Sequence, residues 1–365
     1  MRILYLMHVN WYWIRQRPHI FAELLSKTAK LKLLHFCMFR KGHKSPERAP
    51  DFLEASLLRV PDRLLQTFRL FGWINRIVIA AQVRSAARSI QPSIVWVTHP
   101  IFYPAIARLS GCKIVYDCMD DHSQFSSAAA AHLVELENAL LARADLTIFS
   151  SQTLATRITA RFRPDKYAVV NNGVSESLVR RLEAASEREA SHPRNTICKM
   201  GYFGTISHWF DWPLIFSLLE RFPNLHLELA GPIEVEWVPH ERVHYKGIFA
   251  AGDLANFVDE CEFLVMPFIV NELIKSVDPV KLYEYIAYNK PSLAPRYPET
   301  ERFSPWVSLY NSIDDAAETV DRLLRSHSGH AEIACKVAFL NENTWENRGA
   351  AVLKIIDVLE HRDGV

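Results

Sequence analysis

Short apolar runs alternate with longer stretches whose apolar positions recur at helical spacing, and this alternation sets the first expectation. Residues 3–7, 32–37, 94–98, 113–117, 146–149 and 167–170 read as strands with helices between them. Such alternation predicts a parallel sheet covered on both faces. The stretch 183–195, EAASEREASHPRN, has no apolar periodicity and is rich in Ser, Glu and Arg, so it reads as a linker. The pattern then restarts, with strands at 198–203, 225–229, 243–245 and 263–266 and helices over 212–221 and 253–260. Near the end, Ala351, Leu353, Ile356, Val358 and Leu359 recur at helical spacing and predict a closing helix over 345–360. The expectation is an α/β protein of two successive doubly wound, Rossmann-like domains: 1–182, a linker 183–195, then 196–343. The terminal segment 344–365 is expected to return toward the first domain. Ligands of such sheets bind beyond the carboxyl ends of the strands, so two domains facing across a cleft would place a site there.

Length and composition agree with this picture. The chain has 365 residues, too long for one typical core and suited to two domains of roughly 150 to 200 residues. Cys37, Cys112, Cys118, Cys198, Cys261 and Cys335 are scattered without a C-x-x-C pair, which argues against a zinc site or a disulfide framework and for a reducing, cytoplasmic setting. The apolar start, residues 1–7, is too short for a signal peptide, and no run approaches the roughly 18 to 20 residues that span a bilayer.

The net charge of +1 hides an asymmetry. Residues 1–175 hold 23 Lys and Arg against 12 Asp and Glu, a balance of +11, and the remainder carries −10. A basic first half points to an anionic partner, either a charged substrate or a membrane surface. Within it, 62–89 repeats Arg63, Arg69, Arg76, Arg84 and Arg88 among Leu, Phe, Trp and Ile. That pattern reads as a basic amphipathic helix able to lie on anionic lipid, or as a domain helix with a solvated Arg face.

The most informative stretch is 267–291, PFIVNELIKSVDPVKLYEYIAYNKP. A strand runs into a polar loop, which opens a helix at Pro279, a residue suited to a first helical position. The amides of Ser276, Val277 and Asp278 would then be available to phosphate. Lys281 adds a full charge, and Glu284, at i+3 on the same face, can accept two hydrogen bonds from a ribose diol. The plain alternative is an amphipathic helix with a surface Lys and Glu. A second segment, IVYDCMDDHSQF, puts Asp117 at a strand end and Asp120, Asp121 and His122 in the following loop, where carboxylates can act on an acceptor hydroxyl. The D-x-x-D-D spacing does not match a D-x-D metal site. His99, in VWVTHP, is a weaker candidate at another strand end.

Taken in order, these pieces resemble the GT-B glycosyltransferases and, within them, the retaining family 4 enzymes. IFSSQTLATRI, YAVVNNGVS, MGYFGTISHWFDWPLI, LELAGPIE, VHYKGIFAAGDLANFVDECEFLVMP and VKLYEYIAYNKPSLA follow the family's sequence of segments. The VNW…RQRPH start, the YD-x-x-DD segment and the P-x-K-x-x-EY helix are similar to those of capsule and teichuronic-acid-type transferases. The resemblance implies that Glu284 binds the donor ribose and that Lys281 and the amides near Asp278 hold the diphosphate, with Gly204 and Thr205 letting the backbone approach it. It also implies that the loop after the first strand, with Arg15, Gln16 and Arg17, borders the acceptor together with His99 and Asp121. Asp117, Asp120, Arg15 and Lys281 are the implied catalytic set. Two places depart from the pattern. Ser276 stands where a first donor-loop glutamate is usual. Ile206, Ser207 and His208 stand where an Arg and Lys clamp is usual, so Arg15, Arg17, Lys275 or Lys281 would have to meet the leaving phosphate.

The implied activity is transfer of a sugar from a nucleoside-diphosphate donor, a UDP sugar foremost, to a glycan or lipid-linked saccharide in surface polysaccharide assembly. No cofactor, no metal and no nucleic-acid partner are expected. The expected location is cytoplasmic, peripheral at the inner face of the plasma membrane through 62–89. The alternatives are a GT-B nucleotide-sugar 2-epimerase, which needs no acceptor groove, and a non-catalytic GT-B partner subunit. A dehydrogenase is disfavoured because no G-x-G-x-x-G follows a strand.

Overall fold

The computed structural model describes residues 1–36, 50–57, 69–124, 130–185, 197–236, 239–249, 253–325 and 333–361. Among these residues, thirteen strands form two sheets, each parallel throughout. The first contains β1 (Arg2–Met7), β2 (Lys30–Phe36), β3 (Leu53–Leu57), β4 (Ile94–Val97), β5 (Lys113–Cys118), β6 (Leu146–Phe149) and β7 (Tyr167–Val169), in the order β3-β2-β1-β4-β5-β6-β7. The second contains β8 (Cys198–Phe203), β9 (Leu225–Ala230), β10 (Val243–Tyr245), β11 (Phe263–Val265), β12 (Ser292–Pro295) and β13 (Ser308–Tyr310), in the order β10-β9-β8-β11-β12-β13. In both, the strand order reverses beside the first strand, between β1 and β4 and between β8 and β11. That is the switch point of a doubly wound sheet, where the loops diverge and leave a crevice.

The central strands are apolar along their whole length because both faces are covered. Ile3 through Met7 and Ile94 through Val97 are all buried. On one face of the first sheet Tyr5 stacks on Trp96 with centroids 5.7 Å apart, and Phe21 meets Trp96 edge-on. Leu4, Leu6, Val95, Val97 and Tyr116 belong to the core on the other face. Helix starts follow local capping chemistry: Ser151 Oγ accepts from Leu154 N (3.0 Å) and Asp211 Oδ1 from Leu214 N (3.0 Å), each satisfying an amide that the helix leaves open.

The chain divides into a unit of Met1–Asn171 plus Arg348–Val365 and a unit of Asn172–Asn347. This moves the expected boundary at 182 back to Asn171. The reason is apolar: Val179 and Leu182, on the helix Glu176–Ala185, are buried in the core of the second unit. Gly173 lies against the chain near Asn343, where a Cβ would meet Asn343 O at 2.7 Å, and Val174 bridges to Thr344. Residues 186–195 of the expected linker and 62–68 of the arginine-rich segment lie outside the described residues. The terminal helix spans Trp345–His361, and its portion from Arg348 packs with the first unit, for example Gly349 against Leu24. Strands β3, β12 and β13 were not expected from the alternation. Among the described residues, no helix is long and apolar enough to cross a membrane.

Candidate functional site

Within the second unit, the carboxyl ends of β8 and β11 build a candidate site. Strand β8 ends in Gly204, whose φ of +138° is a conformation glycine reaches without strain. A Cβ there would lie 2.2 Å from Lys281 Cε and 2.7 Å from its Nζ, so the Lys281 side chain crosses directly over the Gly204 backbone. Gly231, after β9, lies beneath, where a Cβ would meet Gly204 O at 2.2 Å. The loop after β8 is laced on both sides: Ile206 N donates to Pro232 O (2.8 Å), Asp211 N to Pro267 O (2.8 Å) and Ile269 N to Trp209 O (2.8 Å). Tyr202 Oη donates to Thr205 O (2.8 Å). This fixes the Gly204–Thr205 turn against the segment that leads into the Lys281 helix.

That helix, Val280–Ala287, sits with Leu282, Tyr283, Tyr285 and Ile286 in the core and with Lys281 and Glu284 half-buried. Lys281 Nζ lies 5.7 Å from the ring centroids of both Tyr202 and Phe268, a partly apolar wall that favours a cation. Burial lowers the Lys281 pKa from its ordinary value, against the pull of Glu284. Burial also pushes Glu284 up to about 7, with Lys281 opposing. Neither side chain makes a hydrogen bond or ion pair with a described residue. An ammonium and a carboxyl, partly stripped of water and unspent, are therefore available to a ligand at the switch point.

The structure corrects the reading of the preceding loop. Ser276 N and Val277 N, expected to be open to phosphate, donate to Leu273 O (3.1 Å) and Ile274 O (3.0 Å) in the turn Ile274–Ser276. Asp278 is buried; its carboxylate accepts from Asn172 N and pairs with Arg302, while Asn172 Nδ2 donates to Asp278 O (2.9 Å). Its role is to bolt the loop in place. Pro279 is the N-cap rather than the first helical residue, and the helical ladder begins with Leu282 N donating to Pro279 O (3.1 Å). The amides of Val280 and Lys281 precede that bond, at the positive end of the helix. Lys275 pairs with Glu272 (2.7 Å).

Within the first unit, the carboxyl ends of β1, β4 and β5 gather a separate group of candidate residues. Arg17 and Asp117, expected on acceptor and catalyst, instead pair with each other inside the unit: Arg17 Nε and Nη2 lie 3.0 and 2.9 Å from Asp117 Oδ1, and Nη1 donates to Val170 O (2.7 Å). Asp117 is 0% exposed, and its charge is matched only because Arg17 is inside with it. Asp121 is likewise spent, on Arg161 (2.8 Å), Arg157 (3.2 Å) and Ser123 Oγ (2.6 Å); against burial, which raises it, Ser123 and Arg161 hold its pKa below the usual carboxylate range. Arg15 is exposed and paired with Glu23. Gln16 caps the helix Arg17–Ser26, with its N donating to His19 Nδ1 (3.2 Å), and His19 is buried.

Asp120 remains. Its carboxyl is half-buried at the end of β5, makes no hydrogen bond with a described residue, and has a pKa raised by burial. His122, whose charge acts on Asp120, meets the ring of His99, and His99 meets the ring of His8, both at 4.8 Å between centroids. His8 Nδ1 bonds Thr98 Oγ1 (2.8 Å), and burial with the neighbouring His122 pulls its pKa down to about 3. His8 escaped the sequence reading although it has the same strand-end signal as His99. Glu137, which bonds His122 from the helix Ala130–Arg143 (2.8 Å), carries no local signal at all.

No protein-family profile matches the chain. It is 23% identical over 233 residues to TuaH of Bacillus subtilis strain 168, whose name assigns it to teichuronic acid biosynthesis as a glycosyltransferase; the match covers 59% of this chain and 58% of that protein. The chain thus spans less than two thirds of that relative. Among solved structures, it superposes on sucrose-phosphate synthase of Thermosynechococcus elongatus with a TM-score of 0.71 and 12% identity, over 98% of this chain and 99% of that one. It also superposes on Anabaena HepE, solved with UDP and glucose, with a TM-score of 0.68 and 14% identity, over 98% and 100%. These likenesses establish the fold as GT-B.

Proposed function

We propose that the chain is a glycosyltransferase that moves a sugar from a nucleoside-diphosphate donor to a glycan or lipid-linked saccharide in surface polysaccharide assembly. The observation that carries this reading is Lys281 lying over Gly204 at the β8/β11 switch point, with Glu284 one turn on and both side chains uncommitted. As the anomeric bond breaks, negative charge grows on the departing phosphate. Lys281 Nζ and the leading amides of its helix meet that charge, while Glu284 accepts from the ribose hydroxyls. This takes the place of the Arg and Lys clamp that Ile206, Ser207 and His208 cannot form. A UDP donor is favoured by the likeness to HepE, which was solved with UDP and glucose, and a surface glycan acceptor by the name of the Bacillus subtilis relative.

If configuration inverts, the role of taking the acceptor proton falls in this reading to Asp120, whose carboxyl is uncommitted among the described residues; if it is retained, the leaving phosphate takes it. The reading is metal-independent, which is supported by the commitment of two of the three aspartates of this segment, Asp117 to Arg17 and Asp121 to Arg157 and Arg161. Contact with an anionic membrane surface at the cytoplasmic side belongs to the proposal. It is supported by the outward face of the helix Arg69–Ile90, where Arg76, Ile77, Arg84 and Arg88 are exposed while Ile79, Val83 and Ala86 are buried.

Incubation with a panel of nucleotide sugars, with and without saccharide acceptors, tests the reading. Acceptor-dependent release of nucleoside diphosphate is expected. Interconversion of the donor without acceptor would instead identify an epimerase, and binding without turnover a non-catalytic subunit.

A further inference from the structure

Strand β5 ends at Cys118, the loop carries Asp120 at its centre, and His122 opens the next turn. One buried oxygen collects both ends of that loop. Glu137 Oε1 accepts from Tyr116 Oη (2.9 Å) and from His122 Nδ1 (2.8 Å), and Cys118 Sγ lies 3.9 Å from it. Glu137 is 1% exposed, and a carboxylate at that depth persists only where donors converge on it. On the far side of the His122 ring stands His99, meeting it edge-on at 89°. Cys118 Sγ also points to Asp120 O (3.8 Å). Asp121, adjoining Asp120, is held separately by Arg157 and Arg161. Cys118, Asp121 and His122 around Asp120 are thus tied down, while the Asp120 carboxyl, half-buried, makes no hydrogen bond with a described residue.

We infer that Glu137 is a positioning residue of the reaction, clamping the Asp120 loop at both ends and setting the His99 ring through His122. This rests on the glycosyl-transfer reading, in which Asp120 and His99 belong to the reacting region. A clamp of this kind acts on the turnover step and leaves donor capture, which belongs to Lys281 and Glu284, untouched.

The test is Glu137→Gln, which keeps the shape but withdraws the charge that His122 and Tyr116 share. With donor and acceptor supplied, kcat should fall about tenfold to a hundredfold, the scale of a misplaced reacting group. KM for the nucleotide sugar should change less than about twofold. Adding His122→Gln to Glu137→Gln should cost little more than either alone, since both cut one link. Side-chain nitrogen spectra read the same clamp without turnover: the His122 and His99 signals should shift together in Glu137→Gln. Should that variant not fold, His122→Gln alone carries the same kinetic expectation. Wild-type kcat in a folded variant, additive losses in the double variant, or a His99 signal unmoved by Glu137→Gln each overturn the inference. If the wild-type protein turns over no nucleotide sugar, the transfer reading fails, and the histidine spectra decide the clamp by themselves.

Discussion

Replacing Gly204 by alanine adds one methyl group at the point where strand β8 passes under Lys281. Carbon atoms rest at about 3.5 to 4.0 Å, yet the new Cβ would stand 2.2 Å from Lys281 Cε and 2.7 Å from Nζ, with Tyr202 Oη at 3.2 Å. Backbone retreat is opposed from below, because Gly231 already packs against Gly204 O and Gly204 N donates to Ala230 O (2.8 Å). The lysine tip must therefore move by more than about 1 Å, a misplacement worth about a hundredfold in rate, or roughly 2.7 kcal/mol. The φ of +138° adds backbone strain of about 1 to 3 kcal/mol, read as lost stability. The assay is nucleoside diphosphate release against donor concentration, with a thermal melt alongside. A folded Gly204→Ala protein with wild-type kcat/KM would show that Lys281 does not need its place over Gly204, and the donor-site account would fail.

Three further outcomes follow. Glu284 has a folded pKa of about 7 against an ordinary 4.5; a raised carboxyl favours the fold while protonated, so its contribution is full below about pH 4.5 and is lost as pH rises to about 7. Donor affinity should move the opposite way, strengthening as pH rises through about 7 and Glu284 ionises, and Glu284→Gln should flatten both profiles in denaturant melts and binding titrations. Asp117→Ala leaves the Arg17 guanidinium buried without its carboxylate and should cost about 3 to 5 kcal/mol in a denaturant melt; a loss below about 1 kcal/mol would contradict the pairing. Reversing Arg76, Arg84 and Arg88 to Glu should reduce sedimentation with phosphatidylserine vesicles, whereas unchanged partitioning would leave that helix a packing role only.

What was legible in the sequence is what is local. Lys281 and Glu284 share a helix face through their i+3 spacing, and Gly204 follows a strand whose apolar run is plain, so the meeting of Lys281 with Gly204 at the end of β8 could be anticipated. Strand β3 was missed because LEASL alternates weakly after a polar stretch, and β12 and β13 because four- and three-residue strands beside prolines carry little periodicity. The acceptor side failed for a different reason. Arg17 and Asp117 stand 100 positions apart, and only the parallel register of β1, β4 and β5 brings the end of the first loop beside the end of the fifth strand. An arginine and an aspartate that neutralise each other look, along the chain, like two free site residues. Separations of 36, 40 and 24 positions likewise hide Asp121 from Arg157 and Arg161 and Asp278 from Arg302. Glu137 is an acidic residue on an ordinary helix until His122 folds onto it.

Titration calorimetry of UDP against the wild-type protein, Lys281→Ala and Glu284→Ala tests the donor cradle most directly. The account predicts saturable binding by the wild type and at least about tenfold weaker binding by each variant, about 1.4 kcal/mol. Equal affinity in all three proteins would contradict it.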